Sequence, residues 1–176
     1  GAIATESRFE NRIYHRRFTA PFDSDWHEGV LGAHIRYKIH RKEIVVEEAK
    51  TMAEEAAEQK GLPFLKQYLE PSRLVVVNEN IEKIGQELGL KELSPLAAAR
   101  KIYDFLIDEM TYDWRAEGAG EGNVAWACDT KSGDCTDYHS VFMALCRSRG
   151  IPADHEFGFP IRTDRDEGRL TYHCSA

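Results

Sequence analysis

The first regular pattern in the chain is an alternation at residues 34–40. Ile35, Tyr37 and Ile39 fall on one face and His34, Arg36, Lys38 and His40 on the other, the period-two signature of a half-buried strand with a solvated basic side. Before it, residues 1–30 mix aromatic and charged positions without a clear period, and only 12–20 reads as a candidate strand. From residue 43 the period becomes helical. Val45, Ala49, Met52, Ala53 and Ala56 form one apolar stripe through 43–60, which Gly61 and Pro63 bring to an end. Pro71-Ser72 marks a turn, and Leu74-Val75-Val76-Val77 a short buried strand or extended segment.

Three further helices are written more plainly. Ile81, Ile84 and Leu88 share a helical face that stops at Gly89. Ser94-Pro95 starts the next helix with a capping hydroxyl followed by a first-turn proline, and Ala98, Ile102, Phe105, Leu106 and Met110 are its buried positions. Residues 111–134 hold four glycines and two tryptophans and read as an irregular loop with aromatic anchors. A third helix runs from about Cys135 to Arg149 with Val141, Phe142, Leu145 and Cys146 on its apolar side, ended by Gly150 and Pro152. Strand-like stretches follow near 153–161 and 169–175, joined by the charged turn at 163–168. Helices first and strands afterwards predict an α+β fold in which the third helix packs on an antiparallel sheet.

Composition narrows the function. The chain has 176 residues, 42% hydrophobic and 30% charged, with a net charge of -7 and no Lys/Arg-rich block. That balance argues against nucleic acid as the partner. No apolar run is long enough for a membrane span. The opening Gly1-Ala2-Ile3-Ala4 lacks the features of a signal peptide. The four cysteines, Cys128, Cys135, Cys146 and Cys174, are too few for a disulfide scaffold and include no close pair of the kind zinc sites use, so no metal is expected.

The chemistry concentrates at Gly133-Asp134-Cys135-Thr136-Asp137-Tyr138-His139. A cysteine here enters the first turn of an amphipathic helix, where unpaired N–H groups and the helix dipole favour an anion such as a thiolate. The backbone N–H of Cys135 is also a candidate donor to a developing oxyanion. A thiol nucleophile needs a base within hydrogen-bond reach. His173, on the second strand after the helix, is the candidate, although spacing alone also fits a buried helix-start cysteine and an unrelated strand histidine. Asp137 is a candidate substrate contact or a first-turn charge bound to nearby N–H groups. His139, one turn from Cys135, is a site neighbour or a structural histidine. Cys146 reads as a core thiol, and Cys174 should face the side of its strand opposite His173.

From about residue 73 to the end, the chain resembles the transglutaminase-like superfamily in its bacterial peptidase-like branch. The resemblance is carried by Ala99-Arg100-Lys101-Ile102-Tyr103-Asp104-Phe105, Met110-Thr111-Tyr112-Asp113-Trp114, Gly133 to Ser140, Arg147-Ser148-Arg149-Gly150-Ile151-Pro152-Ala153 and Tyr172-His173-Cys174, in that order. Residues 1–72 carry no comparable signature and form an N-terminal region of uncertain role. The resemblance implies a papain/transglutaminase-like core, a catalytic order Cys, His, Asp, and a thioester on Cys135 with His173 as base. Residues 73–176 would be that core. It also implies an upstream indole that helps bind the oxyanion, for which Trp126 is the nearer candidate and Trp114 the other, although both read more readily as core or lid anchors.

The pattern departs from the family in two places. The acidic residue expected on the strand after the histidine is missing, because the chain stops three residues after His173. Asp154, Asp164 and Asp166 are poorly placed substitutes, and the core reads as truncated after the histidine strand. Ser175 stands where the family commonly has an aromatic residue.

The resulting expectation is a cysteine-nucleophile acyl-transfer enzyme acting on peptide or amide bonds, with a peptide or protein substrate and no cofactor. It would be a peptidase, an amidase or an amide-forming transferase. The alternative is a catalytically impaired module of the same fold that binds protein or peptide. Acyl donor, acceptor, oligomeric state and compartment stay open, with periplasm, secretion and cytoplasm all compatible.

Overall fold

The computed structural model describes residues 2–7, 12–15, 26–27, 30–31, 63–158 and 173–176. The strand expected at 34–40, the helix at 43–60 and the turn at 163–168 lie outside them. The chain divides into two compact units, residues 1–47 and 48–176. In the first, β1 (Ala2–Thr5) pairs antiparallel with β2 (Arg12–His15) in a register that sets Ala2 opposite His15 and Thr5 opposite Arg12. β2 falls inside the strand expected from residue 12. A second short pair joins β3 (Trp26–His27) to β4 (Val30–Leu31), also antiparallel.

In the second unit a 3-10 turn, Pro63–Tyr68, is docked by the Ala153 N–H on the Tyr68 carbonyl at 3.1 Å. The Leu74–Val77 run forms no ladder. Ser72 and Val75 close a turn on each other instead, burying Val75, and the Leu74 carbonyl accepts from Val124 N–H at 3.2 Å.

Helices begin where the capping residues say they should. α1 (Glu79–Glu87) starts at Asn78, whose Oδ1 accepts from Ile81 N–H at 3.0 Å. Gly89 follows it in the left-handed region at φ 62. α2 (Pro95–Glu109) starts at Ser94, whose hydroxyl accepts from Ala97 N–H at 3.4 Å. Its buried positions Ala98, Ile102 and Leu106 recur every fourth residue, one stripe along the helix.

Residues 111–134 are more ordered than a loop. β5 (Thr111–Tyr112) pairs in parallel with β6 (Ser132–Gly133), and between them lies α3 (Val124–Thr130), capped by Asn123. A helix of seven residues with two buried positions, Val124 and Ala127, is too short to display a period.

α4 (Cys135–Ser148) is the central element, packed against α1, α2, α3 and the last strand. Val141, Met143, Ala144, Leu145 and Cys146 are all buried, meeting Ile81, Ile102, Leu106 and Val124 from the surrounding helices. Truncating a fully buried leucine such as Leu145 to alanine costs about 2–5 kcal/mol in cores of this kind. Two arginines fasten its C-terminal end. Arg147 donates to the carbonyls of Ala153 and Glu70, and Arg149 to those of Leu90 and Leu93. β7 (Glu156–Gly158) and β8 (His173–Ser175) then pair antiparallel, within the two stretches expected to be strands, and α4 packs on β8. The described elements are of the mixed α+β class, with helices around α4 and several short strand pairs.

Candidate active site

Cys135 is the first residue of α4. The helix starts there because Asp134 caps it, its carboxylate accepting from Thr136 N–H at 2.7 Å, while Asp137 reaches back to accept from Asp134 N–H at 2.9 Å. Gly133 makes the approach possible. Its φ is 154, and a Cβ on it would lie 2.5 Å from the Asp137 Cβ. Only glycine fits against the helix at that point.

Asp137 is fully buried, and its partners explain why. Besides the Asp134 amide, it accepts from Gly120 N–H at 2.7 Å and Gly122 N–H at 2.9 Å. Three backbone donors occupy the carboxylate, so it ties the glycine-rich loop to the first turn of α4. Of the two readings open for it in the sequence, the structure carries the one in which it binds N–H groups.

One cavity, about 470 Å³, brings Cys135, His139 and His173 together with Tyr112 and Tyr138. Leu106, Ile107 and Phe142 give it an apolar wall. The Tyr112 hydroxyl meets the Cys135 backbone. Burial, then the neighbouring Cys135 and Asp134, push this phenol above its ordinary range. Its ring lies 6.1 Å from that of Tyr138. The parallel pairing of Tyr112 with Gly133 places it here.

His173 begins β8, is exposed, and sits opposite Gly158. His139 is half-buried and hydrogen-bonds to the Cys174 backbone. Burial, then the positive potential of His173, hold its pKa below the usual imidazole value. Its other face meets His155 at 6.2 Å, edge to face. His155 is also held low, by burial first and His139 second.

Neither tryptophan lines this cavity. Trp126 is half-buried against the core, and its indole supports the loop at Gly118, where a Cβ would approach it to 3.0 Å. Trp114 is 64% exposed, with the Arg115 guanidinium 4.6 Å from its ring centre. Tyr112 and Tyr138 line the cavity instead. The signal available was Tyr112 inside the Met110–Trp114 segment.

The remaining thiols divide sharply. Cys146 faces the core and burial pushes it up to about 12. Cys128, on α3, is pushed up to about 11 by burial and then by Asp129. Cys174 does face away from His173, as strand alternation requires, yet that side of β8 is the one against the first turn of α4. It is 2% exposed, with its sulfur 3.9 Å from the Thr136 hydroxyl and the Cys135 thiol as an electrostatic neighbour. Among the described residues, no group of three or more His, Cys, Asp or Glu side chains is placed to hold a metal ion. No helix among them is long and apolar enough to cross a membrane.

In this α+β domain a helix-start thiol and a strand imidazole line one cavity. Residues 82–175 match the model of the Transglutaminase-like superfamily, and the chain belongs to that superfamily. It is also similar to an uncharacterized protein of Haemophilus influenzae, 30% identical over 109 residues. That similarity covers 61% of this chain and 30% of the relative, so the chain spans less than a third of the relative's length. No solved structure matches.

Proposed function

We propose that this chain carries the nucleophile and base of a cysteine acyl-transfer enzyme acting on peptide or amide bonds, within a papain-like arrangement. The observation that supports it most is the shared cavity: Cys135 at the α4 N-terminus and His173 at the start of β8 line the same space. In this reading His173 takes the Cys135 proton and the thiolate attacks the acyl carbon. The Cys135 N–H, at a helix terminus with no intrahelical partner, donates to the oxyanion in place of the Tyr112 hydroxyl that it meets here. Collapse of the tetrahedral adduct breaks the amide bond, and His173 returns its proton to the departing amine. Water or a second amine then cleaves the thioester. The wall formed by Leu106, Ile107, Phe142 and Tyr103 favours an acyl donor with an uncharged, apolar or aromatic group beside the scissile bond.

The direct test is acylation by an activated ester, p-nitrophenyl acetate, followed by intact-mass and peptide analysis. One acetyl group on Cys135, absent in Cys135→Ala and slowed in His173→Ala, is expected. Acetylation spread over several residues, or unchanged in His173→Ala, would remove the basis for an activated nucleophile. A second reading, a catalytically impaired module that binds protein or peptide, is favoured by one observation. Among the described residues, no Asp or Glu side chain lines the cavity to orient His173. Saturable peptide binding without Cys135 acylation would support that reading.

A further inference from the structure

All four cysteines are reduced in this structure, yet two of them are arranged as a pair. Cys135 opens onto the cavity, whereas Cys174 does not reach it and lies behind, on the buried face of β8. Packing of α4 on β8 sets the Cys174 sulfur 3.9 Å from the hydroxyl of Thr136, the residue next to Cys135, and close enough to the Cys135 thiol to feel its charge. The other two thiols are placed differently. Cys146 faces the helical core, and Cys128 lines a separate cavity with Asp129 and Lys131.

We infer that Cys135 and Cys174 form a reversible disulfide when the protein meets a hydroperoxide, with Cys135 the oxidised thiol and Cys174 the resolving one. In the first step the Cys135 thiolate attacks the distal peroxide oxygen. The O–O bond breaks, an S–O bond forms, and the peroxide leaves as alcohol or water after taking up a proton. Sulfur is oxidised by two electrons and the peroxide reduced by two. In the second step the Cys174 sulfur attacks the Cys135 sulfenic acid. The S–S bond forms, the S–O bond breaks, and hydroxide leaves as water with the Cys174 proton.

The order of the two roles follows from access and charge. An oxidant entering the cavity meets Cys135 first. Cys174 waits protonated, because burial, then the neighbouring Cys135 thiol, push it up to about 12. The disulfide would block the sulfur and protect it from irreversible oxidation to sulfinic acid. The inference needs Cys135 to be oxidisable and does not need it to be acylated, so it stands apart from the acyl-transfer reading.

The test is limiting hydrogen peroxide on the purified chain, then acid quench, alkylation in denaturant and non-reducing peptide mapping. The expected product is the Cys135 peptide joined to the Cys174 peptide, two hydrogens lighter than their sum. Iodoacetamide labelling of Cys135 in the folded protein should fall at least tenfold and return with dithiothreitol. In Cys174→Ser, dimedone should instead trap a sulfenic acid on Cys135. Accumulation of a dimedone-reactive Cys135 in the wild-type protein with no crosslink would overturn the inference, as would a crosslink to Cys128. Acylation of Cys135 without crosslinking would remove this inference and leave the acyl-transfer reading. Crosslinking without acylation would do the reverse.

Discussion

The Asp137 carboxylate accepts the Gly120 N–H at 2.7 Å, so a residue on the second position after Cys135 holds a loop seventeen residues earlier in the chain. The same carboxylate also takes the amides of Gly122 and Asp134. Asp137→Ala would leave buried donors without an acceptor, and each such donor costs about 1–3 kcal/mol. We expect Asp137→Ala to destabilise the domain by about 3–5 kcal/mol, read as a lower urea midpoint. Asp137→Asn should recover only part of this, because an amide offers one acceptor oxygen where the carboxylate offers two. A midpoint unchanged in both variants would show that the loop does not depend on this contact.

The thiols should separate by reactivity. Only the thiolate is alkylated, and a thiol at about 11 is ionised to roughly one part in a thousand at pH 8. Cys128 should therefore label slowly, Cys146 and Cys174 more slowly still, and Cys135 first. Raising the pH from 7.5 to 9.5 should accelerate Cys128 steeply. His173→Ala should slow Cys135 and leave Cys128 unchanged. Limiting iodoacetamide with mass mapping of each cysteine measures all four, and equal rates at Cys128 and Cys135 would contradict the assignment.

Stability should fall on acidification through the imidazole range. His139 and His155 have folded values held below the unfolded value near 6.5, by burial first and by neighbouring imidazoles second. Asp154 and the Cys174 backbone oppose the shifts, and Arg147 adds to that of His155. A lowered imidazole means that the unfolded chain binds the proton more tightly. The contribution is thus complete above about pH 6.5 and is lost as pH falls from there through the folded values. Urea midpoints at pH 7.5 and 5.5 should show the loss, and His155→Gln should reduce it. An identical pH slope in that variant would place the titration elsewhere.

Two glycines make a contrasting pair. Gly150 has φ 78 with nothing within 4 Å of a Cβ, so Gly150→Ala should cost only about 1–2 kcal/mol of backbone strain. Gly133→Ala must also push the Asp137 Cβ, 2.5 Å away, and should cost about 2–4 kcal/mol. It should slow Cys135 alkylation as well, because the helix start moves with it, whereas Gly150→Ala should leave that rate alone. Thermal denaturation and the labelling assay together check both.

The features legible in the sequence are those a few adjacent residues decide. Asn78, Ser94 and Asp134 cap helices through side-chain bonds spanning two or three residues, and the stripe of Ala98, Ile102 and Leu106 has a period set by helix geometry. Cys135 at a helix start, and His173 and Cys174 on opposite faces of a strand, follow from the same local rules. Which face meets which neighbour does not. Asp137 finds its partners fifteen and seventeen residues away, and Cys174 meets Thr136 across thirty-eight. Tyr112 reaches Cys135 through a parallel pairing with Gly133 that no local period announces. Trp126 packs under Gly118 as an anchor, a contact between loop and helix that no local period announces either. Chain-local bonds are specified by spacing, but contacts between elements depend on how α4 seats among three helices and β8, and only tertiary packing decides that.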